Sequence, residues 1–188
     1  MDIAYRELNE QDIHNDLLKD FNRYQEVTND WCRMQNGEYA LVLQPHIEDW
    51  NEKAKERKVS CLSNLLQNGG RIFCAFDSDK LIGFSAINGI LLGSSNQYIE
   101  LTEFHVSNEY RGRGIGRKLF DLCVEAASSY ECEKIYIVAS SSEESQKIYR
   151  KLGCVYTTEL IPSLYEQSPA DIHLEFLLTK KENTKSCE

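Results

Sequence analysis

The chain has 188 residues, a formal net charge of −9, and hydrophobic and charged fractions of 41% and 27%. That length supports one well-buried core and is short for two ordinary domains, and the composition is that of a globular chain rather than a disordered one. The acidity excludes nucleic acid as the main partner, and no apolar run approaches the ~20 residues that cross a bilayer.

In chain order, Ile3–Leu8 alternates as a first strand. Asn9-Glu10-Gln11-Asp12 then offers caps for a helix with Ile13, Leu17, Leu18 and Phe21 on one face. Residues 24–50 hold Trp31, Tyr39, Trp50, the turn Asn36-Gly37 and Pro45. Pro45 to Trp50 is read as opening a second helix, which runs from Asn51 to Leu66 and stops at Asn68-Gly69-Gly70. From Arg71 the period becomes two, and Ile72–Phe76, the polar turn Asp77–Lys80 and Leu81–Ile87 read as a hairpin. Tyr98–Val106 is a further strand, rich in β-branched and aromatic residues. A glycine-rich turn follows, then a helix over Arg117–Tyr130 with Leu119, Phe120, Cys123, Val124 and Ala127 at helical spacing. Lys134–Ala139 is a short apolar strand, and Ser140 to Glu144 supplies the caps and early acids of a helix ending at Leu152-Gly153. Val155–Thr157 and Asp171–Leu178 complete the strands, giving one domain over 1–179 and a frayed tail over 180–188.

The turn after the Tyr98 strand reads Arg111-Gly112-Arg113-Gly114-Ile115-Gly116. Each glycine costs roughly 1 kcal/mol relative to alanine inside a helix, so three at alternate positions indicate bare backbone approaching a ligand. A helix N-terminus offers free N–H groups and about half a positive charge, which favours a phosphate. Arg111, Arg113, Arg117 and Lys118 add cations in an acidic chain. A P-loop would need Gly-x-x-x-x-Gly-Lys-Ser/Thr and a dinucleotide fingerprint Gly-x-Gly-x-x-Gly with a later acid; neither is present. Arg-x-x-Gly-x-Gly preceded by Glu-Leu-x-x-Phe-x-Val resembles the acetyl-coenzyme A signature of the Gcn5-related N-acetyltransferase (GNAT) family.

The resemblance implies an α/β fold with a mixed, mostly antiparallel sheet flanked by helices, in the order β-α-α-β-β-β-α-β-α-β-β. It implies acetyl-coenzyme A as co-substrate, held by Arg111, Gly112, Arg113, Gly114, Ile115, Gly116 and Arg117, with the backbone of Phe104, His105 and Val106 along its pantetheine arm. Ser142 stands where many members carry an asparagine that contacts that arm. Ser145 to Cys154 is similar to the second family signature, Ala-x-x-x-Tyr-x-x-x-Gly-Phe, so Tyr149 is expected as general acid for the thiolate, and Cys154 replaces the phenylalanine.

An alkylamine of pKa ~10.4 arrives protonated, so a base is needed. Glu100 and Glu103 are the candidates, and strand alternation separates their faces unless a bulge intervenes. His105 is titratable on the same strand, although in the family its position often faces away from the acceptor. The expected activity is direct transfer of acetyl to a primary amine of a small molecule, with a protein or peptide acceptor and a non-catalytic acyl-coenzyme A sensor as alternatives. Trp31, Tyr39 and Trp50, with Asp30, Glu38, Glu48 and Asp49, would suit a cationic acceptor or simply pack. Seven cysteines form no C-x-x-C pair and no zinc-like spacing with the four histidines, so no metal is expected. Odd, unpaired thiols suit a reducing compartment and the polar N-terminus does not read as a secretory signal. The expectation is a cytoplasmic protein with no membrane contact, for which a homodimer stays open.

Overall fold

The computed structural model describes residues 2–179, so the expected frayed tail lies outside the described residues. Its centre is strand β6 (Tyr98–Val106) in a seven-stranded sheet that also contains β1 (Ile3–Leu8), β4 (Arg71–Asp77), β5 (Lys80–Leu92), β7 (Lys134–Ala139), β8 (Val155–Tyr156) and β9 (Ile172–Leu177). The spatial order is β1-β4-β5-β6-β7-β9-β8. Only β6 and β7 pair in parallel; every other neighbour is antiparallel. The long connection between β6 and β7 contains α2 (Ile115–Ala127), as a parallel crossover requires.

α2 buries Ile115, Leu119, Phe120, Cys123, Ala126 and Ala127 against Ile99, Leu101, Ile135 and Ile137 on one face of the sheet. The other face is covered by α1 (Glu52–Gln67), whose Val59 and Leu62 meet Ile72, Cys74 and Phe84. Asn51 caps α1, its side-chain oxygen accepting from the Ala54 amide at 2.9 Å. α3 (Glu143–Leu152) and the short α4 (Pro162–Gln167) complete the elements, and α4 has no counterpart in the expected order.

Two expectations change in the N-terminal third. The helix expected to carry Ile13, Leu17, Leu18 and Phe21 is instead a 3-10 turn, Glu10–Asp12, followed by tight turns with i to i+3 bonds such as Leu17 to His14 and Phe21 to Leu18. Local side-chain bonds, Asn9 to the Gln11 amide and His14 to Asp16, compete with helix here. The same apolar residues still reach the core. Pro45 does not open a helix either: residues 24–50 form a separate hairpin of β2 (Gln25–Arg33) and β3 (Tyr39–Glu48). Its register slips between Val27 and Asn29, opposite Gln44 and Pro45, and a residue without an N–H is tolerated at such a bulge.

At the far side of the sheet, Glu175 accepts from Tyr98 (2.7 Å), Lys134 (2.8 Å) and the Thr158 amide (3.1 Å). Burial alone would raise its pKa, but these partners outweigh burial and bring it down to about 2 from an ordinary 4.5. A depressed carboxylate stabilises the fold above its unfolded pKa, and that contribution is lost as pH falls through the folded value. Glu175→Gln is therefore expected to unfold at lower urea than the wild type at pH 7, with the gap closing between pH 4.5 and about 2. A gap that stays constant over that window would contradict this account.

Candidate active site

The parallel pairing of β6 and β7 ends at Leu101 opposite Ile137, so residues 103–106 of β6 leave that edge without a strand partner from β7. Just there β6 takes an extra residue. Glu103 faces Ala86 and Leu101 faces Ile87, leaving Thr102 bulged, with its hydroxyl on the Ala86 carbonyl at 3.2 Å. The bulge resets the alternation. Ile99 and Leu101, then Phe104 and Val106, point to the α2 side, while Glu103 and His105 meet Lys58 and Trp50 on the α1 side. Glu100 is on that side too, near enough to Glu103 for its charge to be felt.

Beyond β6, a 3-10 turn (Asn108–Tyr110) leads into the glycines. Gly112 and Gly114 adopt φ of 75° and 81°, left-handed values that β-carbon-bearing residues rarely take, and a Cβ on either would meet nothing within 4 Å. Gly114 is the N-cap of α2, so no side chain caps this helix and no acid lies in its first turn. Its first N–H groups therefore have no intrahelical acceptor. Arg111 is turned inward, donating from Nε to the Val106 carbonyl and from Nη2 to the Arg23 carbonyl, both at 3.0 Å. It holds the turn in place rather than facing solvent. Arg113 lies over the Tyr110 ring at 5.3 Å, and Arg117 pairs with Asp121 at 2.9 Å.

A cleft of about 750 Å³ joins these features. Of the residues expected from the sequence it is lined by Phe104, His105, Val106, Arg111, Gly112, Gly114, Ile115, Gly116, Arg117 and Tyr149. It also takes in Arg23, Tyr24, Gln25, Glu26 and Glu144, which sequence reasoning missed. The first four belong to the approach and start of a hairpin whose position follows from long-range contacts, such as Trp31 N–H to the Ser141 carbonyl at 2.9 Å. In the sequence Glu144 reads only as an early acid of its helix.

Tyr149 is 9% exposed and packs its ring against Phe104 at 5.8 Å, with Cys154 nearby in the core. Its hydroxyl has no hydrogen-bond partner among the described residues, and burial pushes its pKa up. Arg113, Glu103, Glu100 and Ser142 do not line the cleft. Glu103 is 8% exposed, with Lys58 Nζ at 2.8 Å and His105 Nε2 at 2.9 Å. Burial would raise its pKa, but these two partners lower it overall. Among the described residues the Glu100 carboxylate bonds only to Asn88, at 3.5 Å, and burial, the leading influence, raises its pKa. Ser142 is fully buried; its oxygen accepts from the Ser145 amide at 3.3 Å and caps α3, and its backbone bridges to Asp30. The shorter serine side chain is thus engaged by its own helix. The aromatic residues are likewise matched within the chain: Trp31 under Arg150 (4.7 Å), Tyr39 on Tyr156 (5.4 Å), and Trp50 beside Lys58 (5.5 Å).

A splayed strand edge, a left-handed glycine turn and an uncapped helix together can receive an extended, phosphate-bearing carrier, the class of site used by acyltransferases. The model of the acetyltransferase (GNAT) family matches residues 24–154, and the chain belongs to that family. No curated protein matches by sequence. Among solved structures, nourseothricin acetyltransferase is similar with a TM-score of 0.69 and 17% identity, covering 94% of this chain and 99% of that one. A candidate streptothricin acetyltransferase from Bacillus anthracis, in complex with acetyl coenzyme A, has a TM-score of 0.62 and 18% identity over 95% and 98%. PaiA N-acetyltransferase from Thermoplasma acidophilum, with coenzyme A, gives 0.60 and 17% over 94% and 99%. These likenesses are in fold. Among the described residues no helix is long and apolar enough to cross a membrane.

Replacing Ser142 by alanine removes an N-cap and is expected to cost about 1 kcal/mol of stability in urea denaturation. Coenzyme A affinity, measured by calorimetry, should stay within twofold. A tenfold loss of affinity with unchanged stability would return Ser142 to the ligand.

Proposed function

We propose that this protein is an acetyl-coenzyme A-dependent N-acetyltransferase acting on a primary amine of a small molecule, by direct transfer within a ternary complex. The observation that carries the reading is one cleft with the uncapped N-terminus of α2 at one end and the free hydroxyl of Tyr149 beside the open edge of β6. The N–H groups at the start of α2 would hold the diphosphate, aided by Arg117, with Arg111 fixing the turn. The backbone of Phe104, His105 and Val106 would pair with the pantetheine arm as an added strand would.

Tyr149 keeps its proton at neutral pH because burial raises its pKa, which suits it to donate a hydrogen bond to the thiolate as the C–S bond breaks. A small-molecule acceptor is supported by the likeness to nourseothricin and streptothricin acetyltransferases.

Calorimetry is expected to show binding of both coenzyme A and 3′-phosphoadenosine 5′-diphosphate, the same carrier without its arm. No binding of either ligand would end the proposal. With acetyl-coenzyme A and a panel of nourseothricin, polyamines, aminoglycosides and amino acids, thiol release should be measurable. Tyr149→Phe should then lower kcat by about 10²-fold with coenzyme A affinity within twofold; an unchanged kcat would remove Tyr149 from the reaction.

A further inference from the structure

We propose that His105, held in place by Glu103, is the group that takes the proton from the acceptor amine. This rests on the acetyltransferase reading above and goes beyond it by replacing both glutamates in the role of base.

The geometry begins with what Glu103 cannot do. Its Oε1 accepts from Lys58 Nζ at 2.8 Å, its Oε2 lies 2.9 Å from His105 Nε2, and its side chain does not line the cleft. Both oxygens are engaged and the approach is closed. An ionised carboxylate only accepts hydrogen bonds, so the bond to His105 assigns the proton to Nε2 and leaves Nδ1 with its lone pair. Nδ1 bonds to nothing among the described residues, and the His105 side chain is 19% exposed against 9% for Glu103. His105, unlike either glutamate, does line the cleft, together with Phe104 and Tyr149.

The ring is also fixed in direction. Trp50 meets it edge-on at 4.8 Å and Phe84 at 5.1 Å, from α1's approach and from β5. The charged groups facing it are Glu103 on its own strand, Lys58 on α1, and Arg23 before β2, the last paired with Glu48 at 2.7 Å. Burial lowers the ring's pKa most, Glu103 opposes that, and Arg23 and Lys58 add to the lowering. The sum lies below the ordinary histidine value. A neutral imidazole at pH 7 is what a proton acceptor must be.

In the reaction, the ammonium gives one proton to His105 Nδ1, which passes it to solvent. The neutral nitrogen attacks the thioester carbonyl; the C–N bond forms and the C–S bond breaks. The departing thiolate takes the phenolic proton of Tyr149, and the surplus proton on the new amide nitrogen restores Tyr149. The products are the amide, free coenzyme A thiol and one proton released. Glu103 touches no reacting atom and acts as a positioning residue.

The test follows thiol release with nourseothricin and spermidine from pH 6 to 10. His105→Asn should lose about 10²- to 10³-fold in kcat/KM at pH 7 while coenzyme A affinity stays within twofold. The deficit should shrink about tenfold per pH unit as the amine sheds its own proton. Glu103→Gln should lose about tenfold and move the acid limb of the profile to lower pH, because the anion that raised the ring's pKa is gone. A His105→Asn rate within threefold of wild type at pH 7, a deficit unchanged at pH 10, or pH-rescued loss in Glu100→Gln instead would overturn the assignment. A readout free of any acceptor is ¹⁵N NMR of the histidines in the coenzyme A complex. The Nε2–H tautomer with bare Nδ1 is expected for His105 at pH 7, and an Nδ1–H tautomer or an imidazolium would overturn it. Failure of the wild type to bind coenzyme A would sink the acetyltransferase reading itself, whereas binding with the wrong tautomer would sink only the role of His105.

Discussion

One inserted residue in β6, Thr102, sets the arrangement on which the site depends. Without it, strict alternation would put Glu103 and His105 among the apolar side chains beneath α2, and Phe104 and Val106 toward α1. Misplacing two polar groups in a hydrocarbon layer would cost several kcal/mol. With the extra residue, the first half of β6 builds the core with Ile99 and Leu101, and the second half keeps Phe104 and Val106 on that core while turning Glu103 and His105 to the other face. Just before the bulge, β6 stops pairing with β7. The strand thus changes from structural ladder to open edge within a few residues.

The same economy governs charge. The chain is acidic overall, yet its cationic side chains near the cleft are mostly engaged by local partners: Arg111 by two carbonyls, Arg117 by Asp121, Lys58 by Glu103, Arg23 by Glu48. On the proposed reading, anion affinity at the turn would therefore rest chiefly on backbone N–H groups and the dipole of α2. On that reading the left-handed glycines matter more than the arginines around them. Gly112 and Gly114 expose peptide edges with open space alongside, and no side chain competes for the helix end.

Much of this was legible from local pattern. The period-two run from Arg71, the strand at Tyr98, the glycine turn and the capped helix ending at Gly153 all rest on neighbours within a few residues, so their sequence signals coincide with their structural causes. The first third was less legible. Residues 13–21 carry helical spacing but form turns, because short-range side-chain bonds and packing of Leu18 and Phe21 satisfy the segment without a helix. The hairpin of β2 and β3 is held by contacts to residues more than a hundred positions away, including Asn29 to Glu143 and Ser141 to Asp30.

By itself the sequence determined which residues could do chemistry and which turn could meet a phosphate, since glycine's allowed φ and the helix end are local properties. Only the tertiary structure decided which of those residues reach the cleft. Glu103 was drawn into bonds with Lys58 and His105, Ser142 into capping its own helix, and Trp31 under Arg150. Each outcome depends on a partner distant in sequence or on a one-residue change in strand register, and neither is written in the residue's own neighbourhood.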